Sequence, residues 1–195
     1  MNKLTRDDIV DNRAYEEERA EFRARIIALK RRRRISVGPV VSLVFENRDT
    51  IRFQIQEMSR AENLTSDVEI ENELRVYNPL IPEPGHLSAT LFIELTTEAE
   101  LREWLPRLVG IERSVSLLLG GGDEVVHCVP DPDHEAQLSR QDVTAAVHYI
   151  GFELSDEQIA AFAEGAVTLA IEHPGYRYMT ELGGETRAAL LEDLR

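Results

Sequence analysis

Cysteine is almost missing from this sequence. Its 195 residues include one cysteine, Cys128, so no disulfide can form within the chain. Iron-sulfur clusters normally take four protein ligands, most of them thiolates, which one cysteine cannot supply. The Glu-x-x-His stretch from Glu83 to His86 contains Pro84 and Gly85, so it cannot be the helical pair that a ferritin-like di-iron site needs. We therefore expect the chain to hold no cofactor and no iron centre by itself.

Long hydrophobic runs are missing as well. Apolar stretches such as residues 115–119, which include a serine, are far shorter than the roughly 20 residues of a membrane helix. No apolar stretch near the N-terminus resembles a signal peptide. Together with the lone cysteine, these features favour a cytoplasmic protein with no membrane partner.

Positive charge is scarce and unevenly placed. The formal net charge of −14 disfavours nucleic-acid binding, because most of the surface would repel a polyanion. Residues 19–34, however, contain eight Lys or Arg and one acid, Glu21, and they end in the run Arg31, Arg32, Arg33 and Arg34. This run complements the negative end of a helix dipole. The alternative is that these four arginines bind an anionic partner or RNA, although no aromatic residues are interleaved with them.

The apolar pattern predicts an α+β fold. We expect a single domain over residues 1–195, with a subdivision near 78–86 as the alternative. A long amphipathic N-terminal helix from about Asp8 to Arg34 is predicted by apolar residues at helical spacing, namely Tyr15, Phe22, Ile26 and Leu29. This helix and a largely helical first portion are expected to pack on a mixed, mainly antiparallel sheet of about five to six strands.

Local signals predict the remaining elements. A helix from about Asp49 to Glu62 is expected to bury Ile51, Ile55 and Met58. Further helices are predicted after the capping boxes Ser66–Glu69, Thr97–Glu100 and Ser155–Gln158, and at residues 185–194. Strands are predicted at residues 40–45, 87–95, 113–119, 124–129, 143–154 and 167–171, with a hairpin turn at the glycine run 120–122.

The segment HCVPDPDHE contains side chains that can bind transition metals, namely His127, Cys128 and His134. Their spacing matches no standard zinc module, and prolines and acids after a strand are typical of a solvated loop. Cys128 and His127 are also disfavoured as a nucleophile and base, because adjacent strand residues point to opposite faces. His148 and His173 are candidates either for a general base or for a hydrogen-bonded structural role.

The densest polar pattern lies in FENRDTIRFQIQEMSRAE, residues 45–62. Its candidate site residues are Glu46, Arg48, Gln54 and Glu57, with His173 as a candidate general base from elsewhere in the chain. Carboxylates, an amide and a guanidinium that converge can bind a polar ligand or a metal, or perform acid–base chemistry. The alternative is a buried network of hydrogen bonds and ion pairs that joins a helix to the sheet.

Several motifs, taken in order, resemble one bacterial family. They are LTRDDI, YEEERAEFRARIIALKRRRR, FENRDTIRFQIQEM, ELRVYNPLIP, LSATLFIEL and HPGY, and they extend over nearly the whole chain. This set resembles the family designated domain of unknown function 3501. The resemblance implies no activity and carries over no functional residue. It does imply a genomic setting beside rubrerythrin-like proteins and cysteine-rich iron-sulfur proteins of the heterodisulfide-reductase type.

Three functional hypotheses follow. The leading one is an accessory binding protein of a redox or peroxide-defence system, which docks an iron-sulfur or rubrerythrin-like partner through the basic helix. The first alternative is an enzyme or small-ligand sensor that uses the cluster between Glu46 and Glu57, and the second is RNA binding through Arg31–Arg34. A pocket around the cluster would favour the first alternative, whereas mutual pairing of its side chains would disfavour it. The sequence gives no indication of the oligomeric state.

Overall fold

The computed structural model describes residues 3–132 and 142–195, which contain six α-helices. They are α1 Asn12–Arg33, α2 Arg48–Ala61, α3 Asp67–Tyr77, α4 Glu98–Trp104, α5 Asp156–Glu164 and α6 Gly184–Leu194. Short 3-10 turns lie at Arg6–Asp8, Asn78–Leu80, Leu105–Leu108 and Ile111–Arg113. None of the described helices is long and apolar enough to span a membrane.

The strands of the described residues form two antiparallel sheets. They are β1 Arg34–Val37, β2 Val41–Glu46, β3 His86–Ile93, β4 Val115–Leu119, β5 Glu124–His127, β6 Val129–Pro130, β7 Val147–Glu153, β8 Val167–His173 and β9 Tyr176–Glu181. Sheet A has the order β1-β2-β3-β7-β6, and sheet B has the order β5-β4-β8-β9. The α+β class is therefore confirmed, with the strands divided between two sheets instead of the single mixed sheet expected.

The long N-terminal helix is shorter than expected at both ends. Asp11 begins it, because its side chain accepts hydrogen bonds from the backbone amides of Arg13 and Ala14, each at 2.9 Å. Arg34 ends it by entering strand β1. The buried side of α1 packs against α2, where the rings of Phe22 and Phe53 meet edge to face at 5.6 Å.

The main core lies between the two sheets. Alternate residues of sheet A, such as Leu43, Leu87 and Leu91, share one buried cluster with Leu117 and Leu169 of sheet B. This arrangement follows from strand geometry, since every second side chain points to the same face. Strands β2 and β3, which lie on either side of residues 78–86, pair from Val41 to Glu46, so both portions of the chain contribute to sheet A.

The other face of sheet A is covered by helices. A smaller apolar cluster there includes Ile51 and Ile55 of α2 and Ile70 and Leu74 of α3. Helix α2 begins earlier than expected, because the side chain of Asn47, instead of Asp49, caps it. The three predicted capping boxes are all present, at Ser66–Glu69, Thr97–Glu100 and Ser155–Gln158. Helices α1, α2 and α3 thus lie over a sheet face that also carries the polar residues Glu46 and Thr90.

Tyr176 joins the two sheets near their edges. Its hydroxyl donates to the backbone oxygen of Val37 at 2.7 Å and accepts from the amides of Val40 and Val41, each at 3.2 Å. Gly38 lies in the β1–β2 turn with a φ of +77°, a conformation that favours glycine. Strands β1 and β9, on which this junction depends, are elements that the sequence analysis missed.

Candidate functional site

A cavity of about 200 Å³ lies between sheet A and helices α1 to α3. Its polar lining consists of Lys30, Glu46, Gln54, Tyr77, Thr90 and Tyr149. Its apolar lining consists of Ile51, Leu80, Phe92 and Val147. A concave site that combines apolar walls with convergent polar groups is the usual form of a small-molecule site.

Strand alternation brings the sheet residues of the cavity together. Thr90 of β3 lies directly opposite Tyr149 of β7 in the antiparallel register, and Glu46 ends the neighbouring strand β2. Because side chains at alternate positions share a face, all three belong to the helix-covered side of sheet A. Gln54, nearly two helical turns after the start of α2, and Tyr77, the last residue of α3, line the cavity from the side of the helices.

Glu46 is the most unusual group in this cavity. Its residue exposure is 6%, and its Oε1 accepts a hydrogen bond of 2.6 Å from the Thr90 hydroxyl. The other carboxylate oxygen makes no hydrogen bond and no ion pair with any residue of 3–132 or 142–195. Burying a carboxylate costs free energy unless its oxygens are satisfied, so a donor in the cavity would be stabilised by this group.

The two tyrosines of the cavity are held in the protonated form at neutral pH. Burial raises the pKa of Tyr149 to about 12, with smaller contributions from Tyr77 and Glu46. Burial also raises the pKa of Tyr77, and a hydrogen bond with the side chain of Gln54 offsets part of that rise. Both phenols therefore present neutral rings and hydroxyl groups to the cavity.

Lys30 supplies the cationic side chain of the lining. It lies in the last turn of α1 and is half-buried. Within the described part of the chain its ammonium group forms no hydrogen bond and no ion pair, so Lys30 and Glu46 line one cavity without pairing with each other. The lining of the cavity thus contains one carboxyl group and one amino group that do not contact each other.

The predicted cluster of Glu46, Arg48, Gln54 and Glu57 does not converge on one space. Glu46 and Gln54 line the cavity, whereas the other two side chains are engaged elsewhere. Arg48 pairs with Asp8, with 2.5 Å between Nη2 and Oδ1.

Glu57 belongs to a separate ion-pair network between α1 and α2. It accepts from the Tyr15 hydroxyl at 2.7 Å and from Arg19 at 2.8 and 3.0 Å. These bonds, that with Arg19 foremost, lower the pKa of Glu57 to about 2. Glu57 therefore takes part in an ion-pair network that joins two helices, whereas Glu46 lines a cavity.

The candidate histidine bases lie outside the cavity lining. His173 accepts from the Gly175 amide at Nδ1 (3.1 Å), and its Nε2 lies 3.0 Å from the backbone oxygen of Val109. Both ring nitrogens of this buried side chain are thus engaged by backbone groups, which is a structural role. His148 is also buried, with Nε2 2.8 Å from the Thr144 hydroxyl.

Of the metal and nucleophile candidates, Cys128 and His127 lie in the described residues, and they differ in exposure. Cys128 is buried, its thiol donates to the backbone oxygen of Glu112 at 3.1 Å, and burial raises its pKa to about 11. His127 is exposed, and His134 lies outside the described residues. Among residues 3–132 and 142–195, no group of three or more His, Cys, Asp or Glu side chains could hold a metal ion.

The arginine run has three different environments. Arg31 and Arg32 are exposed and form no ion pair within the described ranges. Arg34 pairs with Glu94 and donates to the Ser42 hydroxyl. Arg33 is buried and contacts the backbone oxygens of β2, so it is removed from the group of four candidate partner-binding residues.

A second cavity, of about 210 Å³, lies beside the end of sheet A. Its charged lining includes Lys3 and Glu83, whose ammonium nitrogen and Oε1 are 2.9 Å apart. Because this acid and base already pair, they offer less to a ligand than Glu46 and Lys30 do. Four lining residues, Lys30, Tyr77, Thr90 and Tyr149, were not predicted as site residues. The available signal for Thr90 and Tyr149 was their position within strands that are otherwise largely apolar, whereas Lys30 and Tyr77 lie on helices and gave no such signal.

Comparisons with known proteins agree with the resemblance in sequence. A novel protein of unknown function from Burkholderia pseudomallei K96243, known from a crystal structure, shares 37% sequence identity, with a TM-score of 0.91 and 100% of each chain covered. No curated protein matches the chain. The family described as "Protein of unknown function (DUF3501)" matches residues 3–194. The chain therefore belongs to the DUF3501 family.

Proposed function

We propose that the protein is a binding module for a small molecule with a protonated amine, held in the cavity between sheet A and helices α1 to α3. The observation that carries this proposal is the buried carboxylate of Glu46, which has one oxygen bonded to Thr90 and the other oxygen without a partner among the described residues. An ammonium group on a ligand would satisfy that oxygen with a charge-assisted hydrogen bond.

The aromatic lining supports the same ligand class. Tyr77 and Tyr149 line the cavity, and aromatic rings attract cations. The volume of about 200 Å³ lies below the roughly 300–1,000 Å³ of drug-sized sites, which favours a ligand of few atoms. The remaining cluster residues give little support to catalysis, because Arg48 and Glu57 are held in ion pairs and His173 is bonded to backbone groups.

Calorimetric titration with short primary amines and amino acids tests the proposal. Glu46→Gln keeps the size of the side chain and removes its charge, so we expect about a 10- to 100-fold loss of affinity. Glu153→Gln is the matched control, because Glu153 is an exposed residue of β7 in the same sheet and does not line the cavity. Equal affinity of Glu46→Gln and wild-type protein, with both folded, would refute an amine site at Glu46.

The C-terminal end of α1 carries two exposed arginines. Arg31 and Arg32 are exposed cations without ion-pair partners in the described residues, which supports docking of an acidic protein surface by the end of α1. In line with the family resemblance, we propose an iron-sulfur or rubrerythrin-like protein in the cytoplasm as that partner. RNA is the alternative anionic partner of the same arginines.

Affinity capture at low salt tests the docking proposal. Mass spectrometry and iron analysis of the captured material should identify an iron-containing partner, with binding lost in the double variant Arg31→Glu/Arg32→Glu. Arg102→Glu/Arg177→Glu, at exposed positions on α4 and β9, makes the same change in net charge elsewhere. Capture that is equally affected by both double variants, or that yields RNA instead of an iron protein, would contradict the proposal.

A further inference from the structure

Glu46 and Lys30 together restrict the charge of the ligand more than Glu46 alone does. A ligand with only negative charge would meet the buried Glu46 carboxylate, which disfavours it. A ligand with only positive charge would meet Lys30 in the same lining, which also disfavours it. A ligand with both charges can satisfy both side chains at once.

Glu46 and Lys30 line the same cavity without pairing with each other, so they offer a ligand two separate charged contacts. No ion pair joins them within 4.0 Å, although each belongs to the lining and neither has another ion-pair partner in the described residues. A ligand that bridges the two groups would give each of them an oppositely charged partner inside the cavity, which favours its binding.

The other side chains of the cavity fit the uncharged part of the ligand. Ile51, Leu80 and Val147 are apolar, and they would contact an apolar body of the ligand. Tyr77 and Tyr149 line the same cavity as neutral phenols, which add no further charge to it.

We infer that the cavity binds a small zwitterion, with its ammonium group on Glu46, its carboxylate on Lys30 and its apolar body against Ile51, Leu80 and Val147. This inference rests on the proposed function and adds the second charge. Free amino acids and short ω-amino acids are the compounds with this chemistry, and a volume of about 200 Å³ suits a molecule of that size.

Two matched pairs of probes test the second charge. L-leucine and 3-methylbutylamine share an amine and an alkyl body, as do 5-aminopentanoate and butylamine, and within each pair only the amino acid carries the carboxylate. We expect at least one amino acid to bind wild-type protein about tenfold or more tightly than its matched amine. Lys30→Gln should abolish that difference without weakening the amine, and Lys30→Arg should retain it.

Arg31→Gln is the matched control for the loss of one cation. Arg31 is the exposed neighbour of Lys30 and does not line the cavity, so this variant should bind all probes as wild-type protein does. If each amine binds as tightly as its amino acid, or if Lys30→Gln keeps the preference, the zwitterion inference is wrong while the amine site stands. If none of the probes binds, or if Glu46→Gln binds them unchanged, the proposed function itself fails.

Discussion

Arg33 of α1 and Asp193 of α6 form an ion pair in which the side chains are only 2% and 4% exposed. Arg33 also donates to the backbone oxygen of Phe45 at 2.9 Å and to that of Glu46 at 3.3 Å. The pair thus connects the last turn of α1, the end of β2 and the last helix of the chain. Burial raises the pKa of Asp193, although Arg33 opposes that rise.

We expect Asp193→Asn to destabilise the fold by about 3–5 kcal/mol, because it leaves a permanently charged guanidinium buried without its anion. Urea unfolding at pH 7 measures the change in the free energy of unfolding. Glu192→Gln, at the exposed neighbouring position, should change it by less than about 0.5 kcal/mol. The double variant Arg33→Met/Asp193→Leu should recover part of the loss, and additive losses in that variant would contradict a coupled pair.

Glu57 should make the stability depend on acidity. The folded state lowers its pKa to about 2 from the ordinary value of 4.5, so this residue favours folding above about pH 4.5 and loses that effect as the pH falls towards 2. Glu57→Gln should therefore cost about 2 kcal/mol at pH 7 and much less near pH 2. Glu62→Gln, at the exposed end of α2, is the matched control. A loss in Glu57→Gln that does not vary with pH would contradict this assignment.

Two glycine substitutions should separate steric clash from backbone strain. Gly38 and Gly110 both have positive φ angles, +77° and +88°. A Cβ atom on Gly38 would lie 2.5 Å from the Tyr176 hydroxyl, whereas one on Gly110 would meet nothing within 4 Å. We expect Gly110→Ala to cost about 1 kcal/mol and Gly38→Ala at least about 3 kcal/mol by thermal or urea unfolding. Equal costs would show that Tyr176 moves away freely.

Cys128 should be unreactive in the folded protein. Burial raises its pKa to about 11, so little thiolate is present at neutral pH. We expect alkylation by iodoacetamide at pH 7.5 to be at least about 100-fold slower in the native state than in denaturant. His127→Ala should not change the native rate, since His127 is exposed and Cys128 is buried. Rapid native labelling that depends on His127 would instead indicate an activated nucleophile.

The helix boundaries show what local sequence determines. Ser66 and Glu69, three residues apart, satisfy each other's backbone groups, and this reciprocal bonding needs no knowledge of the rest of the fold. The start of α2 was predicted two residues late, because Asn47 and Asp49 are both good capping residues, and the geometry selects Asn47.

The candidate site could not be predicted from local sequence, because segments that are far apart in the chain form it. Gln54 and Glu57 lie one turn apart on α2, yet Gln54 faces sheet A and Glu57 faces Arg19 of α1. That division is decided by where α1 crosses α2, which helical spacing does not specify. The alignment of Thr90 with Tyr149 likewise depends on the register between strands that are far apart in sequence.

The two faces of strand β3 contribute to different properties of the protein. Leu87, Ala89 and Leu91 face the core between the sheets, whereas Thr90 and Phe92 face the cavity. Neighbouring positions on one strand should therefore yield different phenotypes, with folding lost at one and recognition altered at the next. A mutational scan along these few residues would separate the two properties at single-residue spacing.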